Sequence, residues 1–320
     1  MKHLGLGPGP EFDRIRAIAK VLGDRVGELG DDCAVLERVE GSLVISTDLS
    51  IEGQHFRREW LTPEEIGWRA AAAGLSDLAA EGADPIGVLA SVAVPRREAN
   101  TAERIMAGVG SVAVEVGARV LGGDLSAGPF VIIDVTAVGQ TVRAVTRSGA
   151  KPGDGLWVTG RLGGARAALD AWRQGREPDG TARDRFARPV PRIAAGQWLS
   201  ARGASAMIDL SDGLAGDAAH LAAASQVGLQ LELDHMPVDP AVVAVALDRG
   251  IPPQRYAAEG GEDYELLVAL PAKFSASDAR QCQTDVGTVL TKIGEVVRGH
   301  AVRCTLAGVP QDLAGFDHFA

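Results

Sequence analysis

The sequence predicts a two-domain protein in which strands and helices are mixed in each half. The 320 residues are enough for two ordinary domains, and a content of 46% hydrophobic and 23% charged residues is typical of a globular protein. From Arg147 to Asp154 the composition becomes loop-like. We therefore place the boundary there and expect domains over residues 1–146 and 147–320.

Helix and strand signals alternate along the first half. Residues 12–22 place apolar side chains at helical spacing, and Thr62-Pro63-Glu64-Glu65 is the capping signal of a helix that should end near Glu81. Residues 43–46 have strand character, so we expect Thr47 and Asp48 to follow that strand directly. The other segments predicted in this half are strands over 86–94, 119–121 and 130–142 and a helix over 102–116.

The second half contains the clearest strand–turn–helix unit. Residues 206–208 predict a strand, 209–213 a turn and 214–225 a helix, with Ser211 or Asp212 as the helix cap. Such a helix N-terminus attracts phosphate. The other predicted segments are strands over 156–159, 264–270 and 292–297, an exposed loop over 175–191 and a helix over 192–201.

Charge and cysteine usage narrow the class of protein. A formal net charge of −10 argues against nucleic-acid binding as the main function. Cys33, Cys282 and Cys304 form no CxxC pair, so we expect neither a disulfide framework nor a structural zinc site, and a reducing cytoplasm is the expected location. We find no apolar leader and no run of about 18 apolar residues, and therefore expect no membrane partner.

Six short acidic motifs combine a carboxylate with glycine, serine or threonine. Aspartate beside small residues offers oxygen ligands on a flexible backbone, which suits magnesium bound together with phosphate. One such motif alone is more often a helix cap or a turn, whereas six from both halves predict a shared site for metal ions and polyanions. The motifs are Gly30-Asp31-Asp32, Ser46-Thr47-Asp48, Leu75-Ser76-Asp77, Gly122-Gly123-Asp124, Ile208-Asp209-Leu210-Ser211-Asp212-Gly213 and Gly260-Gly261-Glu262-Asp263.

Other residues are candidates for binding phosphate or substrate. Gly122 and Gly123 permit close approach to a ligand, or equally a tight turn with positive φ. Arg147 can bind phosphate through two hydrogen bonds, or be a solvated loop residue. His55 is an isolated histidine, more often structural than functional. The P-loop and protein-kinase signatures are both missing, so any ATP binding uses another scaffold.

Taken in order, these motifs resemble the thiamine-monophosphate kinase family, of the superfamily that includes aminoimidazole ribonucleotide synthetase and selenophosphate synthetase. The resemblance extends over nearly the whole chain. Beyond the acidic motifs, it rests on Glu52-Gly53-Gln54-His55-Phe56, Thr146-Arg147-Ser148-Gly149-Ala150, Tyr264-Glu265-Leu266-Leu267 and Phe316-Asp317-His318-Phe319.

The resemblance implies ATP-dependent phosphorylation of thiamine monophosphate to thiamine diphosphate, with ATP as cosubstrate and several Mg²⁺ ions. It implies an α+β / α/β two-domain fold, in which the C-terminal α/β domain completes an active site begun by the N-terminal ATP- and magnesium-binding domain. The N-terminal mixed sheets of two subunits are expected to pair into a barrel, which gives a homodimer.

The resemblance also implies individual roles. Three positions resemble those that hold thiamine phosphate, four resemble ATP contacts and eight resemble magnesium ligands. Two departures are Gly74, where asparagine is usual, and Glu81, which replaces a methionine. The positions that resemble thiamine-phosphate contacts are His55, Glu262 and Phe316. Those that resemble ATP contacts are Gly122, Gly123, Arg147 and Ser211. Those that resemble magnesium ligands are Asp32, Ser46, Thr47, Asp48, Asp77, Asp124, Asp209 and Asp212.

No general base is expected for such a transfer, because the accepting phosphate is already largely a dianion at neutral pH. The obstacle is repulsion between two polyanions, which magnesium ions would offset. Two alternatives remain. One is a sister ATP-dependent synthetase acting on another small substrate, although selenophosphate synthetase is disfavoured because no cysteine precedes Cys33. The other is a catalytically silent nucleotide- and metal-binding regulator.

Overall fold

The computed structural model describes residues 10–25, 41–98 and 100–315, with only the backbone considered at residues 10–13 and 15. The chain divides into two compact units. The first contains the chain up to Leu78, Asp84–Val142 and Ala187–Pro189, and the second contains Ala79–Ala83, Arg143–Phe186 and the chain from Val190 onward.

The first unit is built on an open four-stranded sheet with the order β1-β4-β2-β3. Strands β2 and β3 are parallel and are connected through α3, whereas β4 pairs antiparallel with both β1 and β2. The described elements are α1 (Pro10–Leu22), β1 (Ser42–Ile51), α2 (Pro63–Ala80), β2 (Asp84–Val94), α3 (Thr101–Glu115), β3 (Arg119–Ala127) and β4 (Ile132–Thr141).

The two faces of this sheet differ in burial. Val88 and Val92 of β2 and Val135 of β4 are almost fully buried. On the opposite face β1 leaves Leu43 and Ile45 exposed, at 48% and 62%. Successive strand residues point to opposite faces, so β1 presents an alternating apolar row that the described part of this chain leaves uncovered.

Helix α2 begins with the predicted capping box. The Thr62 amide donates to Glu65 at 2.9 Å, and the Glu65 amide donates to the Thr62 hydroxyl at 3.3 Å, which confirms the prediction. Helices α2 and α3 approach backbone to backbone at two glycines. A Cβ added to Gly67 would lie 1.9 Å from the Ile105 carbonyl oxygen, and one added to Gly108 would lie 1.9 Å from that of Glu64.

The second unit contains a seven-stranded mixed sheet with the order β11-β10-β7-β9-β5-β8-β6. Its pairs are antiparallel except for β7 with β10. The described elements are β5 (Gly155–Thr159), α4 (Gly164–Arg173), α5 (Gly180–Ala187), α6 (Ile193–Ala201), β6 (Ala206–Asp209), α7 (Leu214–Ser225), β7 (Gly228–Glu232), α8 (Pro240–Asp248), α9 (Pro253–Ala258), β8 (Leu266–Leu270), α10 (Ala276–Val286), β9 (Leu290–Val297), β10 (Val302–Leu306) and β11 (Val309–Gln311).

Strands β5 and β8 and the edge strand β6 of this sheet are buried at every residue, so their side chains on both faces belong to the core of the unit. Short apolar strands of this kind were predicted correctly because such runs are typical of sheets that are covered on both sides. Within the described residues, no helix is long and apolar enough to cross a membrane.

Three details of the sequence prediction are wrong. Strands β1 and β3 continue through Asp48 and Asp124, because pairing with β4 and β2 extends the ladders beyond the apolar runs. The expected loop over 175–191 contains helix α5, whose Phe186 is 1% exposed. Helix α7 has Gly213 at its N-cap and no side-chain capping bond there, so neither Ser211 nor Asp212 is its cap.

Candidate functional site

Ser46, Asp48 and Asp77 belong to the same part of the first unit. Ser46 and Asp48 pair across the sheet with Ala137 and Val135, which are fully buried, so both lie on the sheet face that is covered in the first unit. The Ser46 hydroxyl donates to the Asp77 carboxylate in the last turn of α2. These three residues form an oxygen-rich group between the middle of β1 and the end of α2.

Thr47 and Asp124 lie on the opposite, exposed face of the sheet. Asp124 pairs with Ser91, and Ser91 pairs with Asp134, so the three share one row across the strands. The Thr47 hydroxyl donates to Asp134 at 3.0 Å. The structure therefore separates the side chains of Thr47 and Asp124 from those of Ser46, Asp48 and Asp77.

The packing of the sheet requires glycine at Gly123 but not at Gly122. Gly123 has a φ of 154°, and a Cβ there would lie 2.0 Å from the Ala90 carbonyl oxygen. A side chain at Gly122 would meet only Leu89, at 3.8 Å. The packing of β3 against β2 is thus sufficient reason for glycine at Gly123, whereas at Gly122 no such constraint applies.

His55 occupies the turn after β1, and its protonation pattern follows from its contacts. The Ile51 amide donates to Nδ1 of His55 at 3.1 Å, and the His55 amide donates to the Ile51 carbonyl at 3.0 Å. Because Nδ1 accepts a hydrogen bond, the ring proton is assigned to Nε2. His55 therefore offers an N–H donor suited to a phosphate oxygen.

The predicted turn between β6 and α7 carries the second acidic group. Asp209 ends the buried strand β6 at 4% exposure, and Asp217 is 2% exposed in the first turn of α7. The Asp212 amide donates to Asp217 at 3.2 Å. Burial, followed by the charges of Asp209 and Asp212, raises the pKa of Asp217 to about 8.

Asp217 was not among the residues predicted from the sequence. Its position one helical turn after Asp212-Gly213 was a visible signal, because a carboxylate there can return to the amides before the helix. Arg147 belongs to the same group, since its charge acts to lower the pKa of Asp217. Its neighbour Thr146 accepts from the Met207 amide at 3.1 Å, which keeps this segment beside β6.

The Glu262 motif lies directly against this turn. We use "the 209–213 turn" for Asp209–Gly213 and "the 260–265 loop" for Gly260–Glu265. The Glu262 amide donates to the Ser211 carbonyl at 2.8 Å, and a Cβ added to Gly261 would lie 2.4 Å from the same oxygen. The structure thus brings Ser211 and Asp212 together with Glu262 inside the second unit.

Two predicted site residues, Asp32 and Phe316, lie outside the described residues. Among the residues that the structure describes, no group of three or more histidine, cysteine, aspartate or glutamate side chains is arranged to hold a metal ion. The acidic groups still suit magnesium with phosphate. Burial is the main reason that the pKa of Asp217 is raised, and the charges of Asp209 and Asp212 add to it; a bound divalent cation would offset this repulsion between carboxylates.

Comparison with known proteins defines the class. The profile described as "AIR synthase related protein, N-terminal domain" matches residues 30–141, and its C-terminal counterpart matches residues 151–307. Together they cover most of the chain. A hydrogenase maturation protein HypE in complex with ATP has the same fold, with a TM-score of 0.80 over 98% of this chain and 96% of that one, at 20% identity.

Nearer relatives narrow this class to one family. Thiamine-monophosphate kinase of Escherichia coli K12 is 35% identical, covering 97% of this chain and 96% of that protein, and its Aquifex aeolicus counterpart is 34% identical over 100% and 99%. The chain belongs to the thiamine-monophosphate kinase family. A crystal structure of the Stenotrophomonas maltophilia member has a TM-score of 0.82 at 32% identity, covering 96% and 98%. A ThiL complexed with AMPPCP and TMP has a TM-score of 0.78 at 33% identity, covering 100% and 99%.

Proposed function

We propose that this chain transfers the terminal phosphoryl group of ATP to thiamine monophosphate, producing thiamine diphosphate and ADP. The observation that carries the proposal is the 35% identity to a thiamine-monophosphate kinase over 97% of the chain. The ThiL structure that contains AMPPCP and TMP supports it further, because AMPPCP is an ATP analogue that does not give up its terminal phosphoryl group.

The acidic groups of both units are proposed to hold magnesium with the nucleotide. In the first unit these are Asp32, Ser46, Thr47, Asp48, Asp77 and Asp124, and in the second Asp209 and Asp212. Magnesium, when bound, neutralises phosphate charge and aligns the reacting groups for in-line transfer. Thr47 and Asp124 are assigned to a different ion from Asp77, since their side chains lie on the other face of the sheet.

The donor nucleotide is proposed to contact Gly122, Gly123, Arg147 and Ser211. Arg147 offers a planar guanidinium that can bind two phosphate oxygens at once. Ser211 adds a hydroxyl in the 209–213 turn, just before the N-terminus of α7, where helix amides favour negative charge. These contacts orient the phosphates without any proton transfer.

The acceptor is proposed to contact His55, Glu262 and Phe316. His55 donates through Nε2 to the phosphate, because its Nδ1 is already engaged by the Ile51 amide. Glu262 offers a carboxylate to the positively charged thiamine, and the ring of Phe316 offers an aromatic face to the cationic thiazolium. No residue needs to act as a base, since the accepting phosphate oxygen is already ionised.

A homodimer with a shared barrel is proposed from the sheet face of the first unit that the described residues leave exposed. Leu43, Ile45 and Leu49 of β1 are 48%, 62% and 47% exposed, on an edge strand. An apolar edge strand of this kind is normally covered by another chain. The proposed division is into an N-terminal dimerisation domain, residues 1–146, and a C-terminal domain, residues 147–320. A cytoplasmic location remains a prediction from cysteine usage.

The proposed function is tested by incubating the purified protein with ATP, Mg²⁺ and one acceptor at a time. Thiamine monophosphate should give thiamine diphosphate and ADP in equal amounts, whereas thiamine and an aminoimidazole precursor should give neither. A chelator should abolish turnover, and Mg²⁺ should restore it. Folded protein that turns over only another acceptor would indicate the sister synthetase, and folded protein that turns over none would indicate a binding protein.

A further inference from the structure

The 260–265 loop and the 209–213 turn are fastened together through their backbones. The Leu210 amide donates to the Glu265 carbonyl at 2.8 Å, and the Tyr264 amide donates to the Leu210 carbonyl at 2.9 Å. With the Glu262 amide on the Ser211 carbonyl, three main-chain hydrogen bonds connect the two segments. A displacement of either segment is therefore transmitted to the other.

The loop adopts an unfavourable backbone conformation at two residues. Glu262 has a φ of 73° and Tyr264 a φ of 51°, both in the left-handed region that non-glycine residues rarely adopt. The residue between them, Asp263, turns inward and accepts from the Gly163 amide at 2.8 and 3.0 Å. Such strained residues persist where the surroundings fix them, and they are concentrated at ligand-binding sites.

Tyr264 connects this framework to a functional side chain. The residue is 8% exposed, and its hydroxyl donates to Oε2 of Glu262 at 2.9 Å. Glu262 has three rotatable side-chain bonds and is only partly buried, so fixing its carboxylate in one orientation costs side-chain entropy. The hydroxyl of this largely buried tyrosine binds one of the two oxygens and so restricts the direction in which the carboxylate points.

We propose that Tyr264 is a positioning residue for the acceptor, which holds the Glu262 carboxylate in the orientation that binds thiamine monophosphate. The inference rests on the proposed function and adds a residue to it. Tyr264 does not touch the acceptor and carries no chemistry itself. It lowers the loss of side-chain freedom that Glu262 would undergo on binding, which is the usual gain from preorganisation.

Tyr264→Phe tests this directly, because it removes only the hydroxyl. The KM for thiamine monophosphate should rise about tenfold, the scale of one hydrogen bond to a charged group. The KM for ATP should stay within about twofold of the wild-type value. In a Glu262→Ala background, adding Tyr264→Phe should change the acceptor KM by less than about twofold, since the partner is already absent.

Tyr256→Phe is the matched control. The chain has two tyrosines, and Tyr256 is also buried and donates from its hydroxyl to a carboxylate, that of Asp170, at 2.5 Å. It lies in α9, before the loop begins. Its removal should lower thermal stability while both KM values stay unchanged, which separates positioning from general loss of packing.

Three results would overturn the inference: an unchanged acceptor KM in Tyr264→Phe, a parallel rise in the KM values of ATP and acceptor, or an equal effect of Tyr264→Phe with and without Glu262. Absence of thiamine monophosphate turnover in the wild-type protein is a separate outcome. It overturns the proposed function, and the inference with it.

Discussion

The hydroxyl of Ser46 donates a hydrogen bond to the carboxylate of Asp77 and thereby connects the middle of β1 to the last turn of α2. Two elements distant in sequence are held together here by polar side chains at the edge of an apolar interface. The pair connects two elements of the first unit and is also proposed above to bind a cation, and substitution can distinguish these two roles.

Asp77→Asn should reduce phosphoryl transfer by about 100-fold or more, the scale on which loss of a preorganised charge affects a transfer step. The side-chain volume and one acceptor oxygen for Ser46 are kept, so the protein should stay folded. The activity should recover in part at high Mg²⁺. Steady-state rates over a Mg²⁺ titration measure this, with Asp24→Asn, an exposed carboxylate of the same unit, as the control. Normal activity at low Mg²⁺ would contradict the assignment.

Replacing two glycines of helix α2 by alanine should have opposite effects on the stability of the protein. A Cβ at Gly74 meets Ala137 at 3.5 Å, an ordinary contact, whereas a Cβ at Gly67 would lie 1.9 Å from a backbone oxygen. Gly74→Ala should stabilise by about 0.5–1 kcal/mol through helix propensity, and Gly67→Ala should destabilise by about 3 kcal/mol. Urea unfolding of both variants is the measurement, and equal shifts would contradict the packing described here.

Stability without metal should fall as pH rises from about 5 to 8. The folded-state pKa of Asp217 is raised to about 8 by burial, chiefly, and by its carboxylate neighbours, and burial raises that of Asp263. A carboxyl group with a raised folded pKa is protonated in the folded state and ionised in the unfolded state. Each such group therefore lowers the free energy of unfolding by up to about 1.4 kcal/mol for every unit that the pH rises within this window.

Asp217→Asn isolates one of these contributions, because the amide does not titrate. The variant should lose less stability than the wild-type protein between pH 6 and 8 in urea unfolding with a chelator present. Carboxylates whose pKa is lowered, such as Asp278 and Asp285, titrate below this range and do not interfere. Identical pH profiles for the two proteins would show that Asp217 is ionised throughout.

Arg192→Ala should destabilise the second unit by about 3 kcal/mol, since it removes the bidentate partner of a buried carboxylate and leaves Arg185, at 3.5 Å, as its paired cation. Glu265 is 1% exposed, and the Arg192 guanidinium donates to both of its carboxylate oxygens. Arg104→Ala is the control, because Arg104 also pairs through two hydrogen bonds with Glu64 but on the surface. Its loss should cost about 1 kcal/mol or less. Urea unfolding compares the two.

Ile45→Lys should convert the proposed dimer into a monomer, because it places a charge on the exposed apolar row of β1. Ile45 is 62% exposed. Val309→Lys is the matched control, since Val309 is 59% exposed on the edge strand β11 of the other unit. Sedimentation velocity at several concentrations should show a monomer only for Ile45→Lys. An unchanged mass would place the interface elsewhere.

Sequence patterns predicted most element positions, because apolar periodicity and capping signals are local. The capping box of Thr62 and Glu65 is the clearest case. Sequence patterns failed where strand pairing decides the structure. Gly122-Gly123-Asp124 has poor strand propensity, yet these residues continue β3 because each of them pairs with a residue of β2. The polar segment before Pro191 contains a helix for a similar reason, since the ring of Phe186 packs against that of Trp172 with 5.5 Å between the ring centroids.

The candidate site was only partly accessible to sequence reasoning. The oxygen-rich motifs could be recognised, since the types of residue in them already indicate which ligands they can bind. The separation of Thr47 from Ser46 could not, because it depends on Thr47 lying inside a strand rather than after one. Asp217 and Tyr264 contact groups brought close by folding, and no spacing rule joins Asp217 to Asp209 or Tyr264 to Leu210.

The alternation of β1 makes this strand far less tolerant of a change in length than of a change in residue type. Its register against β4 runs without interruption from Ser42 to Ile51. Deleting Val44 from the interior of the strand would move the residues on one side of the deletion to the other face. If the later residues shift, Ser46 and Asp48 turn toward solvent and Ile45 turns toward the helices. Natural relatives should therefore vary in length at the ends of this strand and keep a constant length between them.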